Sequence, residues 1–140
     1  INNRHTTYPT YDIAIDKLSP SILKYILLLF SEKLGPLLLD NFNINPEVYR
    51  LNIKDAFIVK YDENEQRSLD YHTDDSDMSI IITLSDNNDY SGGGTQFKNG
   101  LTINANAGDT IMFSSKYKHQ GLEIYSGIRM VLVFFINVIK

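Results

Sequence analysis

The chain has 140 residues, of which 43% are hydrophobic, so it is long enough and apolar enough to build the core of one domain. Its net charge is −4, and its lysines and arginines are scattered, whereas a nucleic-acid-binding protein usually carries a basic stripe. We therefore expect no nucleic-acid partner. The absence of cysteine excludes disulfide bonds and thiolate metal sites. Apolar runs such as Ile26 to Phe30 are too short for a membrane span, and no signal-peptide pattern opens the chain.

The first third of the chain predicts a short strand followed by a helix. Residues 11–15 alternate between polar and apolar types, as in a strand. Ser19 and Pro20 form a typical helix start, with serine as the N-cap and proline at the first helical position. Apolar residues then recur at helical spacing as far as Leu34, and the pair Gly35-Pro36 predicts the end of the helix. We expect this helix to pack against a sheet.

From about residue 47 the hydrophobic period changes to two, which is typical of β-strands. The predicted strands are Ala56–Tyr61, Met78–Leu84, Thr95–Lys98, Leu101–Ile103, Thr110–Phe113 and Ile128–Val138. The pair Asn99-Gly100 predicts a tight hairpin, because both residues tolerate positive φ. Many short strands separated by turns indicate a mainly β fold, as a sandwich, jelly roll or barrel, with the helix covering one side. We expect residues 1–140 to form a single domain.

The motif His72-Thr73-Asp74 is a candidate metal site. In an extended segment, residues two apart point to the same side, so His72 and Asp74 can bind one ion. Two histidines and one carboxylate form the facial triad of non-haem iron(II) oxygenases, and His119 is the candidate third ligand. The alternative is an exposed acidic loop, since Asp75 and Asp77 follow closely. The remaining histidine, His5, lies in a polar N-terminal stretch and is expected at the surface.

Arg129 is a candidate binding residue for an anionic ligand. It lies ten residues after His119 in the strand Ile128–Ile136, which is apolar on both faces. A guanidinium buried there needs a partner, and a ligand carboxylate could provide one through a bidentate pair. The alternative is a surface pair with Glu123 or Asp109. If Arg129 does face inward, it shares a strand face with Val131, Val133 and Phe135 and points into the cavity that holds the metal.

These motifs resemble the iron(II)- and 2-oxoglutarate-dependent dioxygenases of the prolyl and lysyl hydroxylase type, and most of all the catalytic domain of the procollagen lysyl hydroxylases. The resemblance spans nearly the whole chain and is patchy between its motifs. It rests on Tyr8-Pro9-Thr10-Tyr11-Asp12-Ile13, Phe57-Ile58-Val59-Lys60-Tyr61, Arg67-Ser68-Leu69 with His72 and Asp74, Gly92-Gly93-Gly94 with Phe97, His119-Gln120-Gly121-Leu122 and Gly127-Ile128-Arg129.

The resemblance implies a double-stranded β-helix and a chemistry that uses Fe(II), 2-oxoglutarate and O2, with ascorbate as the reductant. His72, Asp74 and His119 would bind the metal. Arg129 would be the catalytic residue that holds the far carboxylate of 2-oxoglutarate, assisted by a hydroxyl from Tyr61 or Thr83. Collagen-type prolyl 4-hydroxylases use lysine at the place of Arg129, so the arginine favours the lysyl branch. Departures from the family are the run Ile80-Ile81-Ile82, where an asparagine is usual, and the shortened segment between residues 40 and 55.

The expected substrate is a peptidyl lysine in a collagen-like sequence, with Asp75 and Asp77 as candidates to attract its ammonium group. A peptidyl-proline or small-molecule hydroxylase of the same mechanism and a non-enzymatic jelly-roll module that binds metal or sugar remain alternatives. The resemblance also implies that the chain is the C-terminal catalytic part of a longer protein. It would then be placed in the endoplasmic reticulum, whereas the sequence itself leaves the compartment unknown. A homodimer is left open.

Overall fold

A computed structural model describes residues 2–3 and 11–140. His5 and the stretch Tyr8-Pro9-Thr10 lie outside the described residues. The strands are β1 (Asn2–Asn3), β2 (Tyr11–Ala14), β3 (Arg50–Asp62), β4 (Leu69–His72), β5 (Met78–Thr83), β6 (Tyr90–Gly92), β7 (Thr95–Phe97), β8 (Thr102–Ile103), β9 (Thr110–Ser114), β10 (His119–Gly121) and β11 (Ile124–Ile139). The helices are α1 (Pro20–Leu29) and α2 (Gly35–Asn41), joined by the π-helical turn Phe30–Leu34, and short 3-10 turns occur at Ile15–Lys17 and Asn87–Asp89.

The helical region is longer than the sequence predicts. Helix α1 begins after Ser19, as predicted, although the serine side chain makes no capping hydrogen bond. The predicted end at Gly35-Pro36 is wrong, because α2 continues the helical path to Asn41. The wider π-helical turn, in which the Gly35 N–H donates to the carbonyl of Phe30, makes room for the ring of Pro36. A Cβ at Gly35 would lie only 3.1 Å from that same carbonyl oxygen, so glycine is suited to this crossing.

Within the described residues the strands form two antiparallel sheets. The large sheet has the order β1-β2-β3-β11-β5-β9, with β6 also paired to β11, and the small sheet has the order β4-β10-β7-β8. Strand β11 lies at the centre of the large sheet, between β3 and β5. This architecture confirms the predicted mainly β jelly roll with an N-terminal helix packed on the sheet. In the part of the chain that the structure describes, no helix has the length and apolar character needed to cross a membrane.

The large sheet is covered on both faces, and each face has its own cluster of buried residues. Between the sheet and the helices lie Ile15, Ile26, Phe30, Leu34, Leu38, Ala56, Met78, Ile80, Ile82, Leu132, Phe134 and Ile136. Between the two sheets lie Phe57, Val59, Tyr61, Ile81, Phe113, Ile124, Val131, Val133 and Phe135. Alternate residues of β11 belong to the two clusters, as the period of a strand requires. The candidate site lies on the side of the second cluster.

The predicted strands are all present, with boundaries that differ by up to six residues, and the sequence analysis missed β1, β4, β6 and β10. The hairpin at Asn99-Gly100 is confirmed, since β7 and β8 pair across it. Only Gly100 has positive φ, at 97°, whereas the Asn99 side chain accepts a hydrogen bond from Leu101 N at 3.0 Å. The Gly100 N–H donates to the Phe97 carbonyl at 2.9 Å, so one glycine is enough for this turn.

Candidate active site

The three side chains of the predicted triad meet at one end of the small sheet. His72 is the last residue of β4 and His119 is the first residue of β10, and the two are direct partners in the antiparallel register. The centroids of their rings are 4.4 Å apart. Asp74 follows two residues after β4, where its backbone N–H donates to the Ser115 carbonyl at 3.0 Å. One ligand atom from each of the three residues lies within 4.8 Å of the others.

The two imidazoles turn the same nitrogen toward the carboxylate. Asp74 Oδ1 is 3.2 Å from Nε2 of His72 and 3.4 Å from Nε2 of His119. On the far side of each ring, Nδ1 of His72 is 2.7 Å from the Asp70 carbonyl and Nδ1 of His119 is 2.8 Å from the Tyr117 carbonyl. Because a carbonyl oxygen only accepts, both Nδ1 atoms carry hydrogen. In the neutral rings the lone pairs of Nε2 therefore point at Asp74.

This arrangement of donor atoms fits a divalent cation. Two imidazole lone pairs and an anionic oxygen repel one another unless a proton or a metal ion lies among them. The side chains of His72, Asp74 and His119 are only 8%, 3% and 5% exposed, so water does little to relieve that repulsion. Hydrogen bonds from Nδ1 to fixed carbonyls are the usual means by which proteins orient histidine ligands. The triad therefore has the chemistry of a two-histidine, one-carboxylate metal site.

The electrostatics of the triad agree with this geometry. Burial alone would raise the pKa of Asp74, but hydrogen bonds from His119, His72 and Ser79 outweigh it and hold that pKa well below the usual value for aspartate. Burial alone would lower the pKa of His119, yet its hydrogen bond and charge interaction with Asp74 raise it. Both shifts show that the carboxylate of Asp74 favours positive charge beside it.

Arg129 lies on the same inner face of the large sheet. It is 4% exposed and stands directly opposite Tyr61 in the pairing of β11 with β3. Its guanidinium carbon is 5.2 Å from the centroid of the Tyr61 ring, a cation–π distance. Among the described residues no carboxylate lies within ion-pair distance of this guanidinium, and the predicted alternative of a surface pair with Glu123 or Asp109 is not observed. A buried arginine without an anionic partner is suited to binding one from solution.

The triad and Arg129 line one cavity, which encloses about 460 Å³ with its open mouth included. Tyr61 also lines it, and its burial raises the pKa of its hydroxyl, so the hydroxyl stays protonated and can donate a hydrogen bond. Thr83 is buried but does not line the cavity. It pairs with Val131, two residues beyond Arg129, at the end of β5. Of these two residues, only Tyr61 therefore lines the cavity.

Gly121 and Gly93, which the sequence analysis named only as parts of motifs, leave space for the side chains of Tyr61 and Arg129. A Cβ on Gly121 would lie 2.8 Å from Cζ of Tyr61, so a larger residue there would collide with the ring. A Cβ on Gly93 would lie 3.2 Å from Cδ of Arg129. The sequence signal for Gly121 was its spacing, since it lies two residues after His119 and therefore faces the same side.

The acidic residues proposed to attract a substrate ammonium have other contacts. Asp75 forms an ion pair with Lys54 at 2.9 Å, and its side chain is 86% exposed. The carboxylate of Asp77 accepts a hydrogen bond from Val138 N at 2.8 Å. Neither residue lines the cavity, where Asp74 is the only acidic residue among those that the structure describes. Their contacts favour a structural role in the loop.

Comparisons with known proteins agree with the site. No family profile matches the chain. The chain is 38% identical over 86 residues to the multifunctional procollagen lysine hydroxylase and glycosyltransferase of Caenorhabditis elegans, a match that covers 58% of the chain and 12% of that relative. It is 38% identical over 87 residues to procollagen-lysine,2-oxoglutarate 5-dioxygenase 1 of Gallus gallus, which covers 59% of the chain and 12% of that protein. The matched segment is thus about an eighth of the length of these relatives.

Solved structures show the same fold at low sequence identity. The viral collagen prolyl hydroxylase from Paramecium bursaria Chlorella virus-1, solved as a 2-oxoglutarate complex, superposes with a TM-score of 0.69 and 16% identity, over 91% of this chain and 77% of that one. A 2OG-Fe(II) oxygenase family protein from Burkholderia pseudomallei gives a TM-score of 0.65 and 18% identity, over 81% and 57% of the two chains. The chain thus has the fold of the 2OG-Fe(II) oxygenases, and its predicted resemblance to the procollagen lysyl hydroxylases is confirmed.

Proposed function

We propose that this domain is an Fe(II)- and 2-oxoglutarate-dependent dioxygenase that hydroxylates a side chain of a peptide. The observation that carries the proposal is the arrangement of one cavity. At one place in it, Nε2 of His72, Nε2 of His119 and Oδ1 of Asp74 converge, and the guanidinium of Arg129, which has no carboxylate partner among the described residues, lines the same wall. Similarity to lysyl hydroxylases and to 2OG-Fe(II) oxygenases supports the same enzyme class.

In this proposal His72, Asp74 and His119 would hold Fe(II), since two histidines and one carboxylate are the ligand set of non-haem iron(II) oxygenases. When bound, the iron would couple the oxidation of 2-oxoglutarate by O2 to succinate and CO2 with hydroxylation of an unactivated C–H bond, and ascorbate would keep it reduced. The protein supplies orientation. The hydrogen bonds of both Nδ1 atoms fix the ring planes, and Phe113 packs edge-on against His119 with ring centroids 4.8 Å apart.

Arg129 binds the far carboxylate of 2-oxoglutarate and is the catalytic residue of this set. Its planar guanidinium can make two parallel hydrogen bonds with a carboxylate, and burial strengthens them. Tyr61 directs its ring against the guanidinium, which holds the arginine in place, and its protonated hydroxyl is the assisting donor. Apolar neighbours of this wall, such as Val131 and Val133, keep water from the bound keto acid.

For the substrate we propose a lysine side chain in a collagen-like peptide. The relatives with 38% identity are named for procollagen lysine hydroxylation, which supports this choice. The guanidinium of Arg129, where collagen-type prolyl 4-hydroxylases are expected to use lysine, supports it as well. In this view residues 1–140 are one catalytic domain, the C-terminal part of a longer enzyme of the endoplasmic reticulum, and whether it forms a homodimer stays open.

A second candidate is hydroxylation of a peptidyl proline in a collagen-like substrate. The viral collagen prolyl hydroxylase has the same fold over 91% of this chain, which favours this candidate. Among the described residues, the cavity lining also contains no acid besides Asp74 that could bind a lysine ammonium. The two candidates share the metal, the cosubstrate and Arg129, and they differ only in the peptide.

The test measures succinate formed from 2-oxoglutarate in the presence of iron and ascorbate, with peptides analysed by mass spectrometry. Matched collagen-like peptides would contain one lysine, one proline, or neither at the same position. Lysyl hydroxylation predicts that only the lysine peptide stimulates succinate formation and gains an oxygen atom. Oxygen gained by the proline peptide alone would select the second candidate.

The matched control for this assay is His72→Ala, which removes one proposed metal ligand and leaves Arg129 in place. Succinate formation by the wild type that disappears in this variant ties the activity to the metal site. Wild-type protein that forms no succinate with any peptide, or a variant that is as active as the wild type, would contradict the proposed enzyme class.

A further inference from the structure

A row of three serine hydroxyls lies behind the carboxylate of Asp74. Ser79 Oγ donates to Asp74 Oδ2 at 2.5 Å, Ser79 Oγ and Ser115 Oγ are 2.7 Å apart, and Ser115 Oγ and Ser76 Oγ are 2.8 Å apart. Ser79 and Ser115 are fully buried. The hydroxyls of Ser79 and Ser115 therefore have no water as a hydrogen-bond partner, and they depend on each other and on Asp74.

Only one order of donors satisfies every contact in this row. A hydroxyl has one hydrogen, and Ser79 uses its hydrogen for the carboxylate, which only accepts. The hydrogen in the contact between Ser79 and Ser115 must therefore come from Ser115. Ser76 must in turn donate to Ser115, sharing its hydrogen with the Met78 carbonyl at 3.1 Å. The row runs from Ser76 through Ser115 and Ser79 to Asp74, and each bond polarises the next.

The backbone of Ser115 joins the two segments that carry the metal-binding groups. Its carbonyl accepts from Asp74 N at 3.0 Å and its N–H donates to the Asp77 carbonyl at 3.1 Å. Four residues further along the chain the same turn enters β10 at His119. Ser115 thus ties the loop of Asp74 to the turn that precedes His119.

The geometry points to Ser79 as a positioning residue that holds Oδ2 of Asp74 so that Oδ1 alone faces the cation, with Ser115 acting through Ser79. This inference rests on the proposed function, because it concerns the cation that the triad binds. A carboxylate held in this way occupies one coordination position and leaves the others open. Without the hydroxyl, Oδ2 would be a buried anionic oxygen lacking its donor, and the carboxylate could rotate away from the two imidazoles.

The test measures Mn(II) binding by isothermal titration calorimetry to the full chain, since Mn(II) takes the same ligands as Fe(II) without being oxidised by air. We expect Ser79→Ala to weaken Mn(II) binding about tenfold, the lower end for loss of a partner of a metal ligand. Ser79→Thr keeps the hydroxyl and should bind close to wild type. Ser115→Ala should give a smaller loss, because Ser79 can still donate to Asp74.

A double-mutant cycle separates action through Ser79 from independent effects. If Ser115 acts through Ser79, then adding Ser115→Ala to Ser79→Ala weakens Mn(II) binding no further. The matched control is Ser85→Ala. Its buried hydroxyl accepts from Met130 N at 2.6 Å, away from the triad. This control should lower the melting temperature without changing the affinity for Mn(II), as a purely structural serine would.

Each outcome has a distinct meaning. A wild type that does not bind Mn(II) contradicts the proposed function and this inference with it. Binding by the wild type that is unchanged in Ser79→Ala overturns the inference and leaves the proposed function standing. Additive losses in the double variant overturn the role of Ser115 through Ser79. If Ser79→Ala does not fold, Ser115→Ala against Ser115→Thr gives the comparison, and equal affinity in both overturns the inference.

Discussion

The two faces of the large sheet bury very different side chains, although the same strands supply both. On the helix side, the cluster of buried residues consists of Ile, Leu, Phe, Met and Ala. On the side of the small sheet, a similar apolar cluster that includes Tyr61 lies beside Arg129 and the metal triad. In β11 the difference comes from alternation alone, since Phe134 faces the helices and its neighbour Val133 faces the cavity.

Because side chains alternate along each strand, residues that stabilise the fold lie on one face of the large sheet and residues of the candidate site lie on the other. The helix face contributes mainly buried apolar area, and changes there should act on folding. The inner face carries charged and polar groups that are costly to bury, and they are retained where a ligand would satisfy them. Substitutions on the two faces should therefore have effects of different kinds.

The largest expected effect comes from the triad. His72→Ala removes one of three ligands, so we expect Mn(II) affinity to fall at least about 100-fold, the upper end for loss of a partner of a metal ligand, and succinate formation to disappear. Calorimetry and the succinate assay measure the two effects. The melting temperature without metal should change little, because the loss is of binding rather than packing. If the variant retains wild-type Mn(II) affinity, His72 is not a ligand of the metal.

For a substitution on the helix face we expect the opposite result, a loss of stability without a loss of metal affinity. Phe134 is fully buried and its ring centroid is 5.5 Å from that of Phe30. Phe134→Ala should lower the free energy of unfolding by about 3–5 kcal/mol, which urea denaturation measures. Protein that remains folded should bind 2-oxoglutarate and Mn(II) with wild-type affinity. A large loss of affinity in the folded fraction would show that the two faces are not separate.

Arg129→Lys tests the inner face without removing its charge. An ammonium cannot form the two parallel hydrogen bonds of a guanidinium, and one lost charged hydrogen bond costs about 1.5–3 kcal/mol. We expect the affinity of the Mn(II)-loaded protein for 2-oxoglutarate to fall about 10- to 100-fold by the same constant, with Mn(II) affinity unchanged. Equal affinity for 2-oxoglutarate in both proteins would assign the carboxylate to another residue.

The features of the fold that follow from local patterns were predictable. The strands β5 and β9 follow from short apolar runs bounded by turn residues, and the hairpin follows from the pair Asn99-Gly100. The continuation of the helix past Pro36 was not predictable in this way, because the wide turn at Phe30–Leu34 depends on packing against the sheet. Strand β10 was missed because three residues, His119 to Gly121, are too few to show a period.

Residues of the candidate site were predictable where their type is unusual at that place in the sequence. A rare histidine two residues from an aspartate, and an arginine in an apolar strand, are signals in sequence; His72, Asp74 and Arg129 were found in this way. Ser79 and Ser115 have no such signal, because serine is common and their role depends on contacts between residues 36 apart. Thr83 was suggested by resemblance; it pairs with Val131, which lines the cavity, but Thr83 itself does not.

Gly121→Ala tests how closely the inner face is packed. The new Cβ would lie 2.8 Å from Cζ of Tyr61, so the ring must move and Arg129 loses its support. We expect a loss of about 1–3 kcal/mol in the free energy of unfolding, with a moderate loss of 2-oxoglutarate affinity. In a Tyr61→Ala background the same substitution should cost much less, because the collision is gone. Equal costs in both backgrounds would contradict this account.

A change of one pH unit should have the smallest effect, because it alters metal binding only through the titration of a ligand on the inner face. The pKa of Asp74 is held below its usual value, so this group stays ionised near neutral pH and contributes no dependence. The pKa of His119 is raised above 6.5 by Asp74. Above that raised pKa the metal displaces no proton from His119; below it one proton must leave, and Mn(II) affinity falls up to about tenfold per pH unit. A dissociation constant that stays level from pH about 8 to about 5 would contradict this account, since the metal and the proton compete for the same Nε2 lone pair.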